Sequence, residues 1–179
     1  MKLQPEDEII SRAQRIKLLL MDCDGVLTDG RVWLWPEGDE QKAFHTRDGQ
    51  GISLFHHAGL RTGIISGRES SAVARRAREL KMEFVRQDAT DKVPALEAIL
   101  AEAQLELADC AYIGDDVGDI PVLRRVGLAI AVADAVEETK QASHFVTGQK
   151  GGCGAVREVC DLILRAQGRW DEVMRRFSS

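Results

Sequence analysis

The strongest constraint on the fold is how the short apolar runs of this chain end. Residues 16–21, Ile-Lys-Leu-Leu-Leu-Met, form a run that stops at Asp22. Residues 62–65 stop at Ser66-Gly67, and residues 110–113 stop at Gly114-Asp115-Asp116. Further short runs lie at 84–86, 128–132 and 144–146. Runs of this length, bounded by Gly, Ser and Asp, read as buried strands. Between them lie helical patterns. Residues 51–58 are closed by Gly59, and 70–80 place Val73, Ala77 and Leu80 on one face. Residues 92–104 bury Val93, Leu96, Leu100 and Ala103. A short helix is expected over 120–126, another between the last two strands, and an amphipathic helix over 155–166 closes the series. Strand and helix in alternation give an α/β fold, a Rossmann-like parallel sheet with helices on both faces.

One segment breaks that rhythm. Residues 31–35 and 41–46 read as two strands joined by Pro36-Glu37-Gly38-Asp39-Glu40, a β-hairpin inserted after the first strand. Val32 and Leu34 would face one side of it, Trp33 and Trp35 the other. No repeat, low-complexity tract or linker interrupts the chain, so 1–179 reads as a single domain. A short tail after Gly168 carries Trp170, Val173, Met174 and Phe177.

Composition narrows the partners. The net charge is -5 and the pI about 5.4, which argues against nonspecific nucleic-acid binding. A small anionic substrate stays open, because a few local cations outweigh a net charge. The apolar stretches are too short to span a bilayer, and residues 1–15 lack the apolar core of a signal peptide. Cys23, Cys110, Cys153 and Cys160 form no Cys-x-x-Cys pair and no zinc pattern with the histidines. Reduced thiols and a cytoplasmic location are expected.

Ligands in an open parallel sheet bind at the carboxyl ends of the strands. Here those ends bring Asp22-Cys23-Asp24-Gly25, Ser66-Gly67-Arg68, Lys92 and Gly114-Asp115-Asp116, with Asp119 one turn on, to a common rim. Clustered carboxylates repel unless a cation sits among them. Hard oxygen ligands point to Mg²⁺. A lysine and a hydroxyl complement a phosphoryl group.

Taken alone, an Asp-Gly turn after a strand is ordinary, and a DxD triplet occurs by chance. The ordered set is specific. Asp22-Cys23-Asp24-Gly25-Val26, Ser66, Lys92 and Gly114-Asp115-Asp116-Val117-Gly118-Asp119 resemble the haloacid dehalogenase-like phosphatases. Arg47-Asp48-Gly49, Ser66-Gly67-Arg68 with Arg76 beyond it, and Gly151-Gly152-Cys153-Gly154-Ala155-Val156-Arg157-Glu158 narrow the resemblance. Within that superfamily they are similar to the cap-less, tetrameric 3-deoxy-D-manno-octulosonate 8-phosphate phosphatase family, over about residues 16–168. Cys23 replaces a usual aliphatic residue, and Ser66 a usual threonine whose hydroxyl it can match.

The resemblance implies a mechanism. Asp22 would attack phosphorus, and Asp24 would protonate the leaving oxygen and then deprotonate water. Ser66 and Lys92 would hold the phosphate. Asp22, the Asp24 main-chain carbonyl and Asp115 would bind Mg²⁺, with Asp116 and Asp119 supporting the ion through water or orienting Lys92. His45, Thr46, Arg47, Asp48, Gly49, Arg68 and Arg76 match substrate-contacting positions, as do Asp24 and Lys92. The implied product is the free sugar acid of lipopolysaccharide precursor biosynthesis. The implied assembly is a homotetramer whose hairpins join into a barrel over neighbouring sites.

Two other readings compete. A phosphatase of a nine-carbon, sialic-acid-type sugar tends to carry Glu where this chain has Arg68. A noncatalytic phospho-receiver module also groups Asp, a hydroxyl and Lys around Mg²⁺. Its acidic pair comes on the first strand, however, and here the DxD comes first and the acidic pair last. His56-His57 reads as helix surface rather than a metal pair, because adjacent residues do not share a helix face.

Overall fold

The computed structural model describes residues 6–35 and 40–177. The strands are β1 (Leu18–Met21), β2 (Trp33–Leu34), β3 (Glu40–Gln41), β4 (Arg61–Ile65), β5 (Phe84–Arg86), β6 (Cys110–Gly114), β7 (Leu128–Ala131) and β8 (Phe145–Val146). The helices are α1 (Glu6–Ala13), α2 (Thr46–His57), α3 (Ser71–Glu79), α4 (Lys92–Ala103), α5 (Ile120–Leu123), α6 (Glu137–Gln141), α7 (Ala155–Ala166) and α8 (Trp170–Arg175). Among the described residues no helix is long and apolar enough to cross a membrane.

A six-stranded sheet runs in the order β5-β4-β1-β6-β7-β8, with every pairing parallel. Pleating sends alternate side chains to opposite faces. Leu19 and Met21 join one buried cluster with Ile52, Phe55, Val156, Val159 and Ile163 of α2 and α7. Leu18 and Leu20 join the other, with Leu96, Ile99, Val122 and Leu123 of α4 and α5. In α7 the buried Val156, Val159, Cys160, Ile163 and Leu164 keep the spacing of one helical face. Each fully buried aliphatic side chain of this kind contributes roughly 1.5–3 kcal/mol. The expected α/β sheet with helices on both faces and an inserted hairpin is present.

The structure departs from the sequence reading in four places. Helix α2 begins at Thr46 rather than residue 51. Gly49 and Gly51 weaken the helical signal there, but tertiary packing demands them. A Cβ on Gly49 would lie 2.4 Å from Arg76 Nη2, and one on Gly51 2.9 Å from Arg157 Cα. The hairpin ladder is shorter than expected, pairing Trp33 with Gln41 and Leu34 with Glu40. Its second strand ends at Gln41, because Lys42 turns in to Asp24 and Phe44 packs on the core. The expected turn residues Pro36, Glu37, Gly38 and Asp39 lie outside the described residues. Both chain ends add helices that their polar composition hid: α1 buries Ile9 and Ala13, and α8 buries Val173.

The sheet topology fixes the site. The chain leaves central β1 for β4 and β5 on one side, then crosses to β6, β7 and β8 on the other. The switch point therefore lies at the carboxyl end of β1, where such sheets bind ligands. Met21 is in register with Ile64 and Ile113, so Asp22, Ser66 and Asp115 emerge on the same edge.

Candidate active site

Asp22 ends β1 and its amide donates to Ile113 O at 3.0 Å. Cys23 O then accepts from the amides of Val26, Leu27 and Thr28, so the chain turns back at once. Gly25 sits at φ 93°, and a Cβ there would lie 2.1 Å from Asp115 Oδ2. Only glycine lets the Asp22–Gly25 turn approach the loop after β6 so closely.

Lys92 opens α4, with Asp91 capping the helix through Val93 N at 3.1 Å. Its Nζ lies 2.8 Å from Asp22 Oδ1 and 2.7 Å from Asp119 Oδ1. It also donates to Tyr112 Oη at 3.3 Å. Burial pushes the Lys92 ammonium down, but Asp22 and Asp119 push it up further, to a net value above the usual one.

Asp119 is the hub of the loop. Its Oδ1 accepts from Lys92 and from the Tyr112 hydroxyl at 2.7 Å. Its Oδ2 accepts from the amides of Asp115 at 2.9 Å and Asp116 at 3.3 Å. Asp115 contrasts with it: its Oδ1 is buried without a hydrogen-bond partner among the described residues. Burial, then the charges of Asp22, Asp119 and Asp116, push the Asp115 carboxyl up to about 8. Burial also dominates at Asp22, which is pushed up to about 6 although Lys92 opposes the shift.

One carboxylate oxygen each from Asp22, Asp115 and Asp119 lies within 4.8 Å of the others. Such a cluster with an orphaned oxygen fits a hard cation. Asp119 has its acceptors engaged, so Asp22 and Asp115 are the side chains free to ligate. Asp116 is exposed and caps its own turn, accepting from Val117 N at 2.7 Å.

A second group lies beside the first. Asp24 Oδ1 accepts a hydrogen bond from Lys42 Nζ. Lys42 also stands 3.8 Å from Glu40 Oε1, and Glu40 Oε2 accepts from Arg68 Nη2 at 3.3 Å. Ser66 is buried, and its hydroxyl donates to Arg68 O at 3.1 Å. The structure thus links Asp24, Arg68 and Ser66 through short contacts and through two residues the sequence did not flag, Glu40 and Lys42.

The remaining sequence candidates divide. His45 caps α2, accepting from Arg47 N at 3.3 Å, and Thr46 and Arg47 are exposed at that helix start. Thr46 and Arg76 line a cavity of about 950 Å³ with Trp35, Phe44, Arg75 and Glu79. Arg76 lies over the Phe44 ring, 5.8 Å from its centroid, and packs against Gly49. Asp48 does not face the rim. It is buried, with Oδ1 accepting from Arg157 N at 2.8 Å and Oδ2 from Gly154 N at 3.2 Å. It caps α7 from a distance. Burial raises its carboxyl above the ordinary value, against the lowering by those two amides.

Sequence reasoning missed Tyr112, Lys42 and Glu40. Tyr112 is the chain's single tyrosine, set in an otherwise apolar strand, and that mismatch is the signal that could have found it. Lys42 and Glu40 look like the solvated face of a hairpin, and nothing local marks them.

Comparison with known proteins gives the family. Residues 81–159 match the haloacid dehalogenase-like hydrolase family model. The 3-deoxy-D-manno-octulosonate 8-phosphate phosphatase KdsC of Yersinia pestis is 45% identical over 163 residues, covering 91% of this chain and 87% of that protein. KdsC of Escherichia coli K12 is 41% identical over 165 residues, covering 92% and 88%. The crystal structure of the Moraxella catarrhalis phosphatase, in complex with magnesium, phosphate and KDO, superposes with a TM-score of 0.94. It is 42% identical and covers 97% of this chain and 99% of that one. The receiver reading falls with these matches. The chain belongs to the haloacid dehalogenase-like 3-deoxy-D-manno-octulosonate 8-phosphate phosphatases, enzymes acting on a phosphate monoester.

Proposed function

We propose that this chain hydrolyses 3-deoxy-D-manno-octulosonate 8-phosphate to the free sugar acid and phosphate, with Mg²⁺ and through an aspartyl-phosphate on Asp22. The observation that carries this reading is the orphaned Asp115 Oδ1 in a carboxylate cluster beside Lys92. The Moraxella relative's magnesium, phosphate and KDO complex supports the cofactor and the substrate class.

Asp22 forms the bond to phosphorus as the bond to the sugar oxygen breaks. Asp24 gives that oxygen its proton, and in the second half it takes one from the attacking water. Lys92 and the Ser66 hydroxyl hold the phosphoryl oxygens as their charge redistributes. The Asp22 and Asp115 carboxylates and the Asp24 main-chain carbonyl would hold Mg²⁺, with Asp116 supporting it through water. The ion supplies positive charge against the carboxylate and phosphoryl oxygens. Arg68 would meet the sugar's carboxylate, a reading its exposed guanidinium beside the second group supports. His45, Thr46, Arg47, Gly49 and Arg76 complete the substrate side.

The reading extends to a single domain, to a cytoplasmic step of lipopolysaccharide precursor synthesis, and to a homotetramer. Trp33, Leu34 and Trp35, exposed by 63%, 74% and 54%, support the last. A turnover panel tests the substrate. Eight-carbon and nine-carbon sugar-acid phosphates, simple sugar phosphates and nucleotides are compared by kcat/KM. The eight-carbon acid should lead, and a nine-carbon acid or a nucleotide in first place would overturn the assignment.

A further inference from the structure

Lys42 has no place in the chemistry above, yet its side chain has 0% of its surface exposed. An ammonium buried this way is costly unless it is paired. Its pairing is specific. Nζ donates to Asp24 Oδ1 and stands 3.8 Å from Glu40 Oε1, an oxygen with no hydrogen-bond partner among the described residues. Among those residues no other side chain is hydrogen-bonded to Asp24. Lys42 borders the cavity of about 950 Å³, but its side chain has no exposed surface and its ammonium is turned to Asp24, so its effect on the reaction is assigned to its contact with Asp24.

We propose that Lys42 is a positioning residue for proton transfer: it clamps Asp24 through Oδ1 and leaves Oδ2 to exchange a proton with the leaving oxygen and then with water. Glu40 holds the clamp from the hairpin side, and Arg68 braces Glu40 at 3.3 Å. The base of the hairpin therefore sets the pose of the proton-transferring group. The step balances. The electron pair of the broken phosphorus–oxygen bond stays on the sugar oxygen, which takes the Asp24 proton, and water later returns a proton to Asp24. The inference rests on the phosphatase reading and on the role given there to Asp24.

The test compares Lys42→Met and Lys42→Arg by kcat/KM, which reports the steps up to leaving-group departure. A sugar-acid phosphate has a poor leaving group that needs a proton, whereas p-nitrophenyl phosphate has one that hardly does. Lys42→Met should lower kcat/KM about 10- to 100-fold on the sugar phosphate, the scale of a misplaced reacting group. The aryl phosphate should lose less than about threefold, and Lys42→Arg should recover much of the loss. In an Asp24→Asn background Lys42→Met should add nothing, as a pair acting as one unit requires. Equal losses on both substrates, or an undiminished Lys42 effect in Asp24→Asn, would overturn the clamp. If Lys42→Met does not fold, Glu40→Gln/Lys42→Met, which leaves no unpaired Glu40 charge, takes its place with the same expected outcomes. A wild-type protein that hydrolyses simple alkyl phosphates but no sugar acid would remove the substrate assignment and leave the clamp testable on those esters.

Discussion

Lys92 Nζ stands 2.8 Å from Asp22 Oδ1 and 2.7 Å from Asp119 Oδ1. One buried ammonium thus joins the proposed nucleophile at the end of β1 to the loop after β6. Asp119 passes the constraint on by accepting the amides of Asp115 and Asp116. The position of Asp115, and with it the cation site, therefore depends on the Lys92–Asp119 contact.

The carboxylate cluster makes stability depend on pH and metal. Asp115 is raised from 3.8 to about 8 and Asp22 to about 6, first by burial. A group raised in the folded state contributes stability below its unfolded value and loses it as pH rises through the folded value. Without metal, thermal stability should therefore fall between about pH 4 and 8 through these groups. Mg²⁺ replaces protons in the cluster, so its stabilising increment should grow over the same window. Asp115→Asn should flatten both trends, and EDTA should silence turnover. A Mg²⁺ increment equal at pH 5 and pH 8 would contradict the assignment.

Asp48 should prove structural. Its carboxylate satisfies two amides at the start of α7. Asp48→Ala should cost about 1–3 kcal/mol in denaturant unfolding. The KM for the sugar phosphate should change little. A large KM rise at unchanged stability would return Asp48 to the substrate.

How far these features were legible depends on how local their causes are. The sheet and its rim could be read because each strand end carries its own chemistry: Asp22 after Met21, Ser66 after Ile65, Asp115 after Gly114. The start of α2 could not, because Gly49 and Gly51 look like helix breakers until Arg76 and Arg157 are found packed on them. Lys42 was hidden for the same reason, since its partner Asp24 lies 18 residues away and an isolated lysine beside a hairpin strand resembles a solvated one. The tie from Asp48 to α7 was hidden likewise, because its partners Gly154 and Arg157 are remote in sequence.

The hairpin should control assembly. Its exposed Trp33 and Leu34 lie on a two-residue ladder, with the exposed Trp35 next along the chain, and such a ladder is marginal on its own in water. Trp33→Asp with Trp35→Asp should give smaller species in sedimentation and poor turnover of the sugar-acid phosphate, with aryl phosphate hydrolysis still detectable. A wild-type protein that sediments as a fully active monomer would contradict the tetramer.

The most direct measurement of the central claim is phosphate release from 3-deoxy-D-manno-octulosonate 8-phosphate with Mg²⁺, for wild type and for Asp22→Asn. An amide is no nucleophile, so the account predicts rapid release by the wild type and release at the uncatalysed level by Asp22→Asn, with the variant folded as judged by circular dichroism. Release by Asp22→Asn at the wild-type rate would contradict it.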